Sequence, residues 1–169
     1  MTIRRAAVAD VARIGAVHVQ AWHEAYAGLI PDEVLARLDP GRRAAMWLRL
    51  LTDGRAVFVG ELEDEIVGFG SCGPQRDASL PYDGEIAAIY VLRRAYRVGI
   101  GRRLMAAMAR ELRAQGFQSA SLWVMEVNAP ARAFYERLGG KVVTRRDQIR
   151  DGFAAIGVAY AWDDLSVLV

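Results

Sequence analysis

The chain has 169 residues, of which 53% are hydrophobic and 25% are charged. This length suffices for one domain with a sizeable core, and the composition is that of a globular rather than a disordered chain. We therefore expect a single domain over residues 1–169. The formal net charge is only +2, and the arginines are spread among acids, which argues against a nucleic-acid partner.

The N-terminal third of the chain is predicted to be mostly helical. Residues 2–5 have the pattern of a short strand, and apolar residues then recur at helical spacing from about Asp10 to Ala25. A second helical region reaches about Leu38, and a third helix follows the break at Asp39-Pro40-Gly41. One strand and three helices are therefore expected before the main run of strands.

The remaining two thirds of the chain are predicted to mix strands with helices. Two strand-like runs flank the acidic turn at 63–65, as in an antiparallel hairpin. Helices are expected from about Gly101 to Gly116 and over 129–138, where Gly139-Gly140 permits a left-handed C-cap. The predicted strands are 57–62, 66–71, 85–91, 119–125, 141–145 and 158–162. This order indicates an α/β protein with one mixed sheet and helices on both of its faces.

Membrane association is not expected from this sequence. No window approaches the roughly 18 uninterrupted apolar residues of a membrane span. The N-terminus carries Arg4, Arg5, Asp10 and Arg13, where a signal peptide requires an apolar stretch. We therefore expect a cytoplasmic protein.

Cysteine and histidine usage argues against a disulfide and a metal site. Cys72 is the single cysteine, and His18 and His23 are the two histidines, so zinc-ligand spacings are absent. Cys72 has no histidine near it in the sequence and is expected to be a buried structural residue. The two histidines are expected on the surface of the first helix.

The most informative segment is the turn between the strand at 85–91 and the following helix. Gly99 and Gly101 allow backbone N–H groups to converge and a ligand to approach closely, as at many phosphate sites. The first helical turn carries Arg102 and Arg103, although the helix dipole favours acids there, and a bound anion would relieve this mismatch. A tight turn beside a solvated basic face is the alternative interpretation. A dinucleotide fingerprint would require a third glycine where Leu104 stands, and a P-loop would require Gly-Lys-Ser/Thr, so neither motif is present.

This segment resembles motif A of the GNAT superfamily of N-acetyltransferases, whose pattern is Gln/Arg-x-x-Gly-x-Gly/Ala. Both glycine positions match, and Tyr96, followed by Arg97, occupies the first position. The resemblance implies that the loop backbone holds the pyrophosphate of coenzyme A and that the preceding strand binds the pantetheine arm. The coenzyme-binding residues implied in this way are Ile89, Tyr90, Val91, Arg97, Val98, Gly99, Ile100, Gly101 and Arg102.

The stretch from Asn128 to Gly139 resembles motif B of the same superfamily, often written Asn-x-x-Ala-x-x-Phe-Tyr-x-x-Leu-Gly, at every specified position. From the residues alone, Asn128 is a good N-cap and Pro130 is tolerated in the first turn, which explains a helix. A half-buried aromatic residue is the structural interpretation of Tyr135. The resemblance implies instead that Tyr135 protonates the departing thiolate of coenzyme A and that Asn128 contacts the coenzyme.

The resemblance also bears on the acceptor side of the reaction. Trp22 and Tyr26 look like acceptor-side residues of bacterial GNAT proteins and are predicted to bind substrate. A lysine-like amine is almost fully protonated at pH 7, so a general base is expected. Glu85 is the first candidate for the base and Glu126 the second, with a strand-end salt bridge as the alternative interpretation of each. A backbone N–H near Tyr90 is expected to stabilise the oxyanion.

Taken together, the resemblance implies a single mixed, mostly antiparallel twisted sheet flanked by helices on both faces, the GNAT-like acyl-CoA N-acyltransferase fold. It implies an N-acetyltransferase that uses acetyl-CoA as acyl donor and transfers the acetyl group directly to a primary amine of a small molecule or peptide through a ternary complex. A non-catalytic acyl-CoA-binding sensor or interaction module is the alternative. A homodimer is one possible assembly, and neither acyl-chain preference nor the acceptor is specified by the sequence.

Overall fold

The computed structural model describes residues 1–150 and 152–169. Over these residues the chain forms seven strands and five α-helices, and their positions follow the sequence-based expectations closely. The elements are β1 (Thr2–Arg5), α1 (Val11–Tyr26), α2 (Asp32–Ala36), α3 (Pro40–Thr52), β2 (Ala56–Leu62), β3 (Glu65–Pro74), β4 (Gly84–Val91), α4 (Ile100–Ala114), β5 (Ala120–Met125), α5 (Ala129–Arg137), β6 (Lys141–Arg150) and β7 (Phe153–Trp162).

Local chemistry explains why several elements begin and turn where they do. The carboxylate of Asp39 accepts a hydrogen bond from the Arg42 N–H at 2.7 Å, which caps α3. Glu63 and Asp64 adopt positive φ angles of 51° and 62°, the conformation that two-residue hairpin turns require. The side chain of Asn128 accepts from the Ala131 N–H at 3.2 Å and caps α5. These polar residues therefore fix the ends of α3, the β2–β3 hairpin and α5.

The last hairpin is longer than predicted. Strands were expected at 141–145 and 158–162, but β6 and β7 are each ten residues long and pair from Lys141–Ala161 to Arg150–Phe153. Much of β6 is exposed, so it lacks the alternation of apolar and polar residues by which half-buried strands are recognised. The extended end of this hairpin reaches the candidate site described below.

All seven strands form one sheet in the order β1-β2-β3-β4-β5-β7-β6. Neighbouring strands are antiparallel except β4 and β5, which are parallel. The predicted mixed, mostly antiparallel sheet is therefore confirmed.

Helices cover both faces of the sheet. On one face, α4 packs against Gly60, Gly68 and Gly70, where an added Cβ would lie within 2.9 Å of Ile100, Tyr90 or Met108 atoms. On the other face, Phe69 of β3 contacts Trp47 of α3, with ring centroids 5.0 Å apart. Burying a side chain such as Phe69 contributes on the order of 1.5–3 kcal/mol to folding. The absence of side chains at the three glycines lets α4 approach the sheet closely.

Strands β4 and β5 pair only at their N-terminal ends, through Gly84–Ala120 and Glu85–Ser121. Beyond these pairs the two strands diverge, while β4 continues to pair with β3 and β5 continues to pair with β7. The β3–β4 register shifts so that Ser71 pairs with Ala88 and Cys72 with Ile86. Ala87 is thus the extra residue of a β-bulge, a feature that bends a strand and ends regular pairing. The result is an opening in the centre of the sheet.

Among the described residues, no helix is both long enough and apolar enough to cross a membrane.

Candidate functional site

A cavity of about 540 Å³ occupies the opening between β4 and β5. Its volume lies in the range of roughly 300–1,000 Å³ that small-molecule sites occupy. The cavity is lined by the diverging parts of both strands, the loop before α4, α5, the end of α1, and Arg150 of β6. The two segments that resemble GNAT motifs therefore meet at a single cavity, together with the C-terminal end of α1.

The edge of β4 that faces β5 offers unpaired main-chain groups to this cavity. The N–H of Leu92 donates to the carbonyl of Val67 in β3 at 2.8 Å. Main-chain groups point to alternate sides along a strand, so those of Tyr90 also point toward β3. Those of Ile89 and Val91 point toward the open side. Ile89 and Val91 can therefore bind a ligand through their backbone, whereas Tyr90 contributes its side chain.

The loop before α4 forms a concave array of N–H groups. Arg97 and Gly99 have φ angles of 63° and 92°, and alternation between left- and right-handed residues is the geometry of an anion-binding nest. The N–H groups of residues 97–102 donate to no acceptor in the part of the chain that the structure describes. The first turn of α4 contains no acid and carries Arg102. An anion such as a pyrophosphate fits this donor set.

The remaining residues of this loop differ in what they can contribute. The side chain of Ile100 is completely buried in the core, so only its N–H can reach a ligand. A Cβ on Gly101 would lie 3.2 Å from the Phe134 ring, so this glycine lets α5 approach the start of α4. Val98 is exposed, and Tyr96 is 46% exposed and lines the cavity. The backbone of the loop is thus the common binding element.

Tyr135 of α5 lines the cavity and is only 6% exposed. Its ring packs against Phe134, Tyr160 and Trp162 at centroid distances of 5.5–6.3 Å. Burial raises the pKa of Tyr135 well above its usual value, so the phenol remains protonated at neutral pH. Its hydroxyl has no hydrogen-bond partner within residues 1–150 and 152–169, so its proton is available to a bound molecule.

Asn128 connects the beginning of α5 to the end of α1. Besides capping α5, its amide donates to the Tyr26 hydroxyl at 3.0 Å. Tyr26 lines the cavity, and burial raises its pKa to about 12. Trp22 is 1% exposed and packs behind this wall, with its ring centroid 5.0 Å from that of Tyr26. Trp22 therefore packs behind Tyr26 and is not among the residues that line the cavity.

The two carboxylates predicted as candidate bases lie in different places. Oε1 of Glu85 pairs with Arg55 at 2.5 Å and also with Arg76. Glu85 lines a second, smaller cavity of about 130 Å³, which adjoins the first through shared lining residues of β4 and β5. Glu126 pairs with Arg145 at 3.3 Å and is not among the residues that line the larger cavity. Glu85 therefore lines a cavity that adjoins the candidate site, whereas Glu126 lines neither cavity.

The prediction that both histidines lie on the helix surface is wrong for His18. Its side chain is buried, and Nδ1 accepts a hydrogen bond from Trp47 Nε1 at 3.1 Å. Its ring stacks on Tyr90 with centroids 4.7 Å apart. Burial, together with the charges of Arg43 and Arg150, lowers the pKa of His18 to about 3. His18 is thus a neutral support for Tyr90, while His23 is exposed as expected.

Cys72 is buried, as predicted. Its thiol donates to the Met108 carbonyl at 3.7 Å, and burial raises its pKa to about 12. Cys72 is not among the cavity-lining residues.

Sequence reasoning missed two residues that line both cavities, Trp123 and Arg150. Trp123 is in a predicted strand, but the face of the strand that meets the cavity depends on how β4 and β5 diverge. Arg150 lies beyond the predicted end of its strand. Neither residue belongs to a motif, and the sequence contains no local signal that could have identified them.

Comparison with known proteins identifies the family. A sequence model described as "Acetyltransferase (GNAT) family" matches residues 19–140. The N-acetyltransferase YuaI of Bacillus subtilis is 36% identical over 169 residues, covering 99% of this chain and 96% of the relative. Ribosomal-protein-alanine N-acetyltransferase from Brucella melitensis has a TM-score of 0.74 at 25% identity, covering 96% of this chain and 99% of that one.

A further solved structure contains the ligand expected in the cavity. YncA from Salmonella typhimurium, described as a putative acetyltransferase with its cofactor acetyl-CoA, has a TM-score of 0.73 at 25% identity, covering 98% of this chain and 94% of that one. The nest of N–H groups at 97–102 and the open edge of β4 fit the pyrophosphate and the amide-containing arm of this molecule. The chain therefore belongs to the GNAT family and is an acyltransferase that uses acetyl-CoA as its cosubstrate.

Proposed function

We propose that the protein transfers the acetyl group of acetyl-CoA directly to a primary amine of a small molecule or peptide, in a ternary complex. The observation that carries the proposal is the buried hydroxyl of Tyr135, which has no partner among the described residues and lies in the same cavity as the open β4 edge and the N–H nest. The cavity is also lined by Ala21 and Tyr26 of α1, which packs on the face of the sheet opposite to α4. A cavity lined from both faces of the sheet leaves room for a donor and an acceptor at once.

Tyr135 is the proposed general acid. A thiolate leaving group must be protonated, and burial keeps the Tyr135 phenol protonated at neutral pH, so that its hydroxyl has a proton to donate. The free N–H groups of Ile89 and Val91 lie on the same side of β4 as the cavity and are the proposed donors to the developing oxyanion. Asn128 is proposed to act by holding Tyr26 and the start of α5 in place.

Glu85 is the proposed general base, acting through water. A lysine-like ammonium must lose a proton before it can attack, a cost of roughly 4–5 kcal/mol at pH 7. Both arginine partners of Glu85 use Oε1, which leaves Oε2 to accept a proton. Because Glu85 lines the smaller cavity, a water molecule is needed to link it to an amine in the larger one. Glu126, with its ion pair to Arg145, is less favoured by this geometry.

The test is thiol release from acetyl-CoA in the presence of a panel of primary amines, with each product verified by mass. Tyr135→Phe should lower kcat by about 10²–10⁴-fold, the usual contribution of a general acid, without weakening acetyl-CoA binding in a calorimetric titration. Glu85→Gln should lower the rate most at low pH, where the amine is protonated.

Tyr160→Phe is the matched control for Tyr135→Phe. The Tyr160 ring lies 5.8 Å from that of Tyr135, but its hydroxyl donates to Glu136 at 2.6 Å and it is not among the cavity-lining residues. This variant should retain nearly full turnover. Unchanged turnover in Tyr135→Phe combined with loss in Tyr26→Phe would transfer the acid role to Tyr26. Absence of any acetylated product with the wild-type protein would overturn the proposal.

A further inference from the structure

Arg150, at the end of β6, is set apart from the other arginines on the acceptor side. Its half-buried side chain lines both cavities. Its guanidinium lies 5.9 Å from the centroid of the Trp22 ring. Among the described residues it has neither an ion-pair partner nor a hydrogen-bond acceptor. A guanidinium in this position presents its donors to whatever occupies the cavity.

The neighbouring charged side chains are already paired. Arg55 and Arg76 share Glu85, and Arg146 pairs with Asp77 at 2.9 Å. Asp77 also accepts from Trp123 Nε1 at 3.1 Å. Glu85 and Asp77 are therefore compensated, while the positive charge of Arg150 has no counter-charge in the part of the chain that the structure describes.

Arg150 belongs to the reaction end of the cavity and not to the pyrophosphate loop. Burial and the nearby Tyr26 raise the pKa of Tyr135, and the charge of Arg150 lowers it. An anion held by Arg150 would therefore be part of the acceptor, because the phosphates of the donor belong at the nest.

We propose that Arg150 binds a carboxylate or another oxyanion of the acceptor, so that the preferred substrate is an amino-acid-like amine and not a polyamine or other polycation. This inference rests on the proposed acetyl transfer and specifies the chemical class of its acceptor. The aromatic side chains of Tyr26, Tyr90 and Trp123 in the lining provide apolar surface for the rest of such a molecule.

The test compares kcat/KM for acceptors that share one scaffold and differ in charge. The first set is L-phenylalanine, L-phenylalaninamide and phenethylamine, and the second is L-leucine with its amide and isopentylamine. The amides have the larger fraction of free amine at a given pH, so a preference for the acids cannot come from amine basicity. We expect kcat/KM to be about 10- to 100-fold higher for the acids, the ratio that corresponds to the free energy of a hydrogen-bonded charge pair. The phosphonate analogue of phenylalanine distinguishes a carboxylate-specific site from a general oxyanion site.

Substitution of Arg150 should remove this preference. Arg150→Gln should lower the acid-to-amide ratio of kcat/KM by about 10- to 100-fold, and Arg150→Lys should retain part of it because lysine keeps the charge without the planar fork. Lys141→Gln is the matched control, since Lys141 lies on the same strand and pairs with exposed Asp163 at 3.6 Å. It should leave the ratio unchanged.

Two results would overturn the inference while leaving the acetyltransferase activity intact. One is equal or better use of the uncharged amines by the wild-type protein, and the other is an unchanged ratio in Arg150→Gln. A loss of acetyl-CoA affinity in Arg150→Gln would reassign the residue to the donor. Calorimetric titration of L-phenylalanine into the wild-type and Arg150→Gln proteins in the presence of coenzyme A tests the same contact without turnover. Failure of acetyl transfer itself is therefore distinguishable from failure of the acceptor assignment.

Discussion

The two parts of the cavity that we propose as the donor side and the acceptor side are built in different ways. The donor side uses main-chain N–H groups of one continuous segment, 89–102, completed by α5. The acceptor side uses side chains that are far apart in the sequence, such as Tyr26, Trp123 and Arg150. A backbone site depends on conformation, which a few glycines encode. A side-chain site depends on which residues the tertiary structure brings together.

This difference explains why the first position of motif A can vary. The N–H donors at 97–102 belong to every residue type except proline, so Tyr96 can occupy the position without removing any of them. On the acceptor side no such freedom exists, because the charge of Arg150 and the hydroxyl of Tyr26 belong to those side chains alone. We therefore expect substitutions on the two sides to affect different measured quantities.

The largest expected effect on coenzyme affinity is at Gly99. Its φ angle is 92°, and a Cβ built there meets no heavy atom of the described residues within 4 Å. Gly99→Ala would thus strain the loop and place a methyl group on its open side. Because several charge-assisted hydrogen bonds of about 1.5–3 kcal/mol each depend on this geometry, acetyl-CoA affinity should fall by about 100-fold or more. Calorimetric titration with coenzyme A measures this loss.

Gly116→Ala is the matched control for Gly99→Ala. Gly116 follows the C-terminal end of the same helix, α4, with a φ angle of 90°, and its Cβ would also meet open space. Both variants should lose about 1–2 kcal/mol of stability from the left-handed conformation. If Gly116→Ala weakened coenzyme binding as much as Gly99→Ala, general destabilisation rather than the nest would be responsible.

The secondary-structure elements that form the proposed donor side could be predicted because their sequence signals are local. Residues 85–116 form a strand, a glycine turn and a helix in direct succession. Asn128 is an N-cap residue whose position predicts the start of α5. The order of strands and helices also sufficed for the fold class. Each of these inferences needed only residues within about one element of each other.

The acceptor side could not be predicted in the same way. The bulge at Ala87 and the divergence of β4 from β5 depend on tertiary packing, and the residues at these positions give no sequence signal that predicts them. The C-terminal half of β6, which carries Arg150, is polar and lacks the alternating pattern that predicts a strand. The sequence pattern predicts His18 on the helix surface, whereas the structure buries it against Tyr90. Non-local packing determined all of these positions.

The burial of His18 is expected to have an intermediate effect, which is on the pH dependence of folding stability. The folded protein keeps this imidazole neutral, since its pKa is lowered to about 3 from 6.5. Between these two values the unfolded chain binds a proton that the folded protein does not bind. Stability contributed by neutral His18 is therefore present above pH 6.5 and is lost as the pH falls toward 3. From pH 7 to pH 5 this loss is about 2 kcal/mol.

His18→Gln tests this linkage, because glutamine retains an acceptor for Trp47 Nε1 and does not titrate. Urea unfolding at pH 7, 6 and 5 should show a smaller pH dependence in this variant than in the wild type. His23→Gln, at an exposed position of the same helix, should keep the wild-type slope. If the free energy of unfolding depended equally on pH in all three proteins, His18 would be protonated in the folded state.

The smallest effect on activity is expected at Cys72, which tests whether the two sides of the cavity exchange the acetyl group directly. The thiol is fully buried, and its raised pKa of about 12 keeps it protonated. Cys72→Ala should therefore retain kcat within about twofold and lose roughly 1 kcal/mol of stability from the missing sulfur. Incubation of the wild-type protein with acetyl-CoA alone should leave its intact mass unchanged. A protein heavier by one acetyl group on Cys72, together with an inactive but folded Cys72→Ala, would replace direct transfer by a covalent route, in which donor and acceptor need never occupy the cavity together.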